Sequence, residues 1–84
     1  MGSRRFFLVE RYIPAVDAGS IVATIRELAE SRDDARHVGT LVIAGEETCL
    51  SVFEAPDAPA VAAANEGLPL DRIVEAEWFP GPSS

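Results

Sequence analysis

Residues 5–12 (RFFLVERY) carry aromatic or aliphatic side chains on both alternating sets and run into Ile13-Pro14, which predicts a central strand ended by proline. Ile21, Val22, Ile25, Leu28 and Ala29 then recur at three- and four-residue spacing, with Arg26, Glu27 and Glu30 toward water. That pattern predicts an amphipathic helix from a cap at Asp17 to about Ser31. Polar Arg32-Asp33-Asp34 separates it from His37 to Ile43, a second β-like run. Ala44-Gly45-Glu46-Glu47 reads as a short turn in which Gly45 supplies positive φ, so Thr48 to Glu54 is expected to return as a hairpin partner. Asp57 caps a small Ala-rich helix with Pro59 in its first turn and Gly67 at its end. Ile73 to Phe79 reads as a fourth strand, and residues 79–84 as a flexible tail.

The order β-α-β-β-α-β is the split βαβ pattern. It predicts an α+β, ferredoxin-like fold: a single domain over residues 1–84, with an antiparallel four-stranded sheet of order 4-1-3-2 and two helices on one face. The other sheet face is left uncovered, and soluble monomers seldom expose a large apolar patch, so association through that face is expected. Alternation assigns Phe6, Leu8, Glu10, Tyr12, Leu41, Leu50, Val52, Glu54, Ile73, Glu75 and Glu77 to the open face. Phe7, Val9, Cys49, Ser51, Phe53, Val74, Ala76 and Trp78 go beneath the helices. A turn centred on Gly45-Glu46 pairs Ile43 with Thr48, Leu41 with Leu50, Gly39 with Val52 and His37 with Glu54. With strands one and three set parallel, Glu10 and Glu54 fall at one end of the sheet, where strand four begins with Arg72 and Glu75.

That placement yields a candidate constellation of Glu10, Tyr12, His37, Glu54 and Glu75 with Arg72 nearby. Carboxylates on a face closed by association are costly unless paired, protonated or bound to a guest, so this cluster is the expected ligand site. His37 with Glu54 is the candidate metal pair; an ordinary strand-start histidine is the competing reading. Glu10 and Glu54 could equally be ion-paired to Arg11, Arg36 or Arg72. Cys49 reads as an inert core thiol, since it lies within an apolar run.

Fourteen acids against seven arginines give a net charge of −7, which disfavours nucleic acid and anionic membranes as partners. One cysteine excludes an intramolecular disulfide and fits a reducing cytoplasm. The apolar run near the start is broken at Glu10, and no run reaches the roughly 18 residues of a span, so neither signal peptide nor transmembrane segment is expected. No nucleotide-binding glycine motif, P-loop, HExxH, GxSxG or EF-hand spacing occurs.

Three segments carry a resemblance: residues 7–14 (FLVERYIP), 47–55 (ETCLSVFEA) and 63–76 (AANEGLPLDRIVEA). Together they resemble a family of small bacterial domains of unknown function, loosely described as nickel-binding proteins. The resemblance implies a ferredoxin-like fold that dimerises by stacking open sheet faces, similar to the dimeric α/β-barrel superfamily, and possible binding of a divalent metal such as nickel. The expected function is therefore a cytoplasmic homodimer that binds a small ligand or metal cation. The alternatives are a cofactor-independent isomerase or monooxygenase-like enzyme with a glutamate general base, and a non-catalytic protein-interaction domain.

Overall fold

The computed structural model describes residues 4–79 and 81–82. Of the tail expected over 79–84, residues 80, 83 and 84 lie outside the described residues, as do residues 1–3. The elements are β1 (Arg5–Tyr12), α1 (Ala18–Glu30), β2 (Arg36–Ile43), β3 (Thr48–Ala55), α2 (Ala58–Ala64) and β4 (Arg72–Ala76), with 3-10 turns at Ala15–Asp17 and Ala44–Glu46. The fold is α+β, with an open four-stranded antiparallel sheet in the order β2-β3-β1-β4.

Local chemistry explains most of the boundaries. Asp57 caps α2 by accepting a hydrogen bond from the Ala60 N–H at 3.0 Å, and Pro59 occupies the first turn, where an N–H has no helical partner to lose. Beyond α2, Gly67 takes φ +87°, a conformation costly to any residue with a Cβ. Asp17 does not cap α1: its backbone is already helical and its side chain makes no cap hydrogen bond, because the preceding 3-10 turn feeds directly into the helix. In the hairpin, the left-handed position falls on Glu47 (φ 50°) and not on Gly45, since Gly45 sits inside the 3-10 turn.

Phe7, Val9, Phe53 and Ala55 from the strands meet Ile25 and Ala29 of α1 and Ala60, Val61 and Ala64 of α2 in one core, so both helices cover the same sheet face. A second, smaller cluster joins Ile13, Ala18 and Cys49. The fully buried thiol of Cys49 thus lies in apolar packing, as its sequence context suggests.

Three expectations about the sheet are corrected. Strands β1 and β3 are antiparallel, with Phe6 opposite Glu54 and Glu10 opposite Leu50. Each βαβ unit makes its two strands parallel to one another, so the strand inserted between them runs the other way. Second, an irregularity between His37 and Gly39 shifts the β2 register, placing Arg36 opposite Glu54 and His37 opposite Phe53. Third, β4 is one residue out of the expected phase and ends at Ala76. The Asp71 N–H donates to the Glu10 carbonyl at 2.9 Å, and the Tyr12 N–H donates to Asp71 Oδ2 at 2.7 Å. These bonds fix Arg72 opposite Glu10, so Val74 and Ala76 join the open face while Ile73 and Glu75 pair with Val9 and Phe7 of the covered one.

Candidate functional site

The five site residues expected from sequence do not converge. Glu10 and Glu54 share the open face but sit four residues apart along β1, about 13 Å at the rise of a strand. Each is held by its own arginine: Arg72 Nε lies 3.2 Å from Glu10, and Arg36 Nε lies 2.8 Å from Glu54. Tyr12 is exposed beside Glu10, whose negative charge is the main cause pushing the phenol's pKa above its ordinary value. Glu75 pairs with Arg5 at 3.3 Å and lines a small cleft of about 290 Å3 shared with Phe6 and Trp78.

His37 and Glu54 cannot act as a single metal pair within one chain. The shifted register of β2 puts His37 against Phe53 on the covered face, with ring centroids 5.3 Å apart, whereas Glu54 is on the open face with Arg36. Among the described residues no group of three or more His, Cys, Asp or Glu side chains is placed to hold a metal ion. A borderline cation such as nickel favours several imidazole or thiolate donors, and this donor set does not fit one.

What the structure does bring together lies around His37. Its Nε2 is 2.7 Å from Thr40 Oγ1, and Thr40 Oγ1 is 2.8 Å from the fully buried Ser51 Oγ, giving a polar chain from β2 into the layer beneath the helices. His37 and Thr40 form one wall of a groove of about 830 Å3 between β2 and α1; Val22, Arg26 and Ala29 line the opposite wall. Arg4, Arg32 and Asp33 close one end. That volume is within the range of small-molecule sites. The His37 pKa is lowered, chiefly by burial and then by the positive charge of Arg26, both of which disfavour the imidazolium. Arg32 is held at 3.0 Å by Asp34, and Arg4 reaches only backbone carbonyls, those of Asp33 and Asp34 at 3.5 Å. The Arg26 side chain makes no ion pair or hydrogen bond with any described residue.

Arg11 was not singled out by its sequence context as a buried group. It is fully inaccessible on the covered face, where Nη2 donates to Asn65 Oδ1 at 2.6 Å and Asn65 Nδ2 donates to the Val61 carbonyl at 2.8 Å. Its Nε and Nη1 have no partner among the described residues. Burial is the main cause lowering the Arg11 pKa, opposed in part by the charge of Asp71. Strand alternation carried this signal, since Arg11 shares the phase of Phe7 and Val9.

No family profile matches the chain, and comparisons with curated proteins and with solved structures find no match. No described helix is long and apolar enough to cross a membrane.

Proposed function

We propose that this protein is a small-ligand-binding homodimer of ferredoxin-like, dimeric α/β-barrel type, with its ligand seat in the α1–β2 groove of each protomer. The observation carrying the binding function is the groove itself: a concavity of ligand size lined by an imidazole, a threonine hydroxyl and a guanidinium without an ion pair. Dimerisation is supported by the open face. Leu41, Val74 and Trp78 are exposed there beside half-buried Leu8, Leu50 and Val52, and water contact with so much apolar surface is unfavourable.

Charge supports a second copy as the cover. The open face's charged side chains are the pairs Glu10–Arg72 and Arg36–Glu54, which cancel, although the chain carries −7 overall. Two such faces can approach without the repulsion that the rest of the surface would impose. The glutamate-base alternative is less favoured because both candidate bases are engaged by arginine.

Two measurements test this reading. Light scattering at micromolar concentration should give twice the 9.0 kDa chain mass. A thermal-shift panel of small anions, amines and neutral polyols should contain at least one compound that raises the melting temperature with saturation. A particle of single-chain mass removes the dimer, and a panel with no saturable response removes the binding function.

A further inference from the structure

Across the whole chain acids outnumber arginines fourteen to seven, yet the groove inverts that ratio. Arg4, Arg26, Arg32 and Arg36 line it against Glu30 and Asp33. The guanidinium of Arg36 turns to Glu54 and that of Arg32 to Asp34, so their charges are already answered. That of Arg26 is not paired with any carboxylate among the described residues, and Arg4 makes no ion pair there, its charge acting on Asp34 only at longer range. The charges that act most on the His37 imidazole, those of Arg26 and, more weakly, Arg11, are both positive.

Guanidinium groups present several N–H donors in a fixed plane, and two of them lining one groove with a hydroxyl and an imidazole suit an anion with many acceptor oxygens. We propose that the α1–β2 groove binds a small phosphorylated molecule, with Arg26 and Arg4 taking the phosphoryl dianion and Thr40 with His37 meeting a polar group on the rest of the ligand. The inference rests on the groove being a ligand site, and it names the chemical class of that ligand.

The proposal has a direct probe because His37 is the chain's one histidine and gives a single imidazole resonance. The charges acting on that ring are those of Arg26 of α1 and Arg11 of β1, and the other charged groups lining the groove are Glu30, Arg4, Arg32, Asp33 and Arg36. Inorganic phosphate titrated at constant ionic strength should shift the His37 signal with saturation and raise the pH at which it titrates, since a bound dianion stabilises the imidazolium. Arg26→Gln, at an exposed helical position where folding is insensitive, should weaken phosphate about tenfold or more, as loss of one charge-assisted hydrogen bond requires. Leu41→Glu on the open face should leave phosphate affinity unchanged.

Succinate and sulfate serve as comparison anions. Equal or tighter saturation by succinate overturns the phosphoryl assignment while leaving a ligand groove. A His37 resonance that stays fixed in phosphate, or one that moves identically in Arg26→Gln, also overturns it, whatever other compound from the thermal-shift panel binds.

Discussion

On the covered side of β1, Phe7, Val9 and Arg11 lie in one row, and the arginine is as inaccessible as the valine. On the other side, Phe6, Leu8, Glu10 and Tyr12 form a row in which none is fully buried, next to Val52, Val74 and the exposed Leu41. One strand therefore places a cation in its core and apolar groups against solvent. The difference separates an internal settlement from an external one. Asn65 and the end of α2 answer the buried charge within the chain, although only one of its N–H groups finds a bond. Among the described residues nothing answers the open face.

The burial of Arg11 is tested most severely by removing its partner. Asn65→Ala leaves a buried guanidinium without a hydrogen bond, and urea denaturation should show a loss of about 3–5 kcal/mol. Arg11→Met combined with Asn65→Ala removes the charge along with its partner and should recover most of that loss, since a flexible apolar side chain of similar length can fill the space. If Asn65→Ala alone cost less than about 1 kcal/mol, Arg11 would have some other partner.

The open face is tested at Leu41, which is 62% exposed in the protomer. Leu41→Glu should weaken the proposed dimer by about 2 kcal/mol, some 30-fold in dissociation constant, read from the concentration dependence of mass. The secondary structure of the separated chain should be unchanged, because the side chain packs little at home.

These two faces also show what the amino-acid order could reveal. Alternation placed Phe7, Val9, Cys49 and Phe53 under the helices, and the turn located the hairpin pairs Ile43–Thr48, Leu41–Leu50 and Gly39–Val52. The extra residue at Val38 was illegible: nothing in His-Val-Gly marks an irregularity, yet it moves His37 from Glu54 to Phe53 and dissolves the candidate metal pair. The phase of β4 was equally hidden, because it is set by Asp71 bonding to the β1 backbone, a contact between residues 59 apart in sequence. The groove could not be read from α1 alone. Arg26 looks like a solvated helix position until β2 is laid beside it.

His37 supplies a smaller test, at the junction of the covered face and the groove. Its pKa in the folded chain lies below the ordinary 6.5, first through burial and then through Arg26. Near pH 6.5 and below, the unfolded chain takes a proton that the folded chain resists. Its contribution is therefore complete above pH 6.5 and is lost as pH falls toward the folded-state pKa. Stability measured by urea from pH 7.5 to 5 should decline by no more than about 1.4 kcal/mol per pH unit from this group. His37→Gln should flatten that part of the profile, and a slope unchanged in the variant would place its origin elsewhere.

The smallest expected effect discriminates most finely between the faces. Glu10 and Arg72 meet at 3.2 Å on the open side, with 63% of the arginine side chain exposed in the protomer. In the Leu41→Glu background, where that face should stay wet, a double-mutant cycle with Glu10→Gln and Arg72→Gln should give a coupling of about 0–1 kcal/mol. In the unaltered chain the same cycle should give about 1.5 kcal/mol or more if a second copy excludes water from the pair, as for close charge pairs at interfaces. Equal coupling in both backgrounds would mean that the pair stays solvated in both, and would place the partner's footprint away from this end of the sheet.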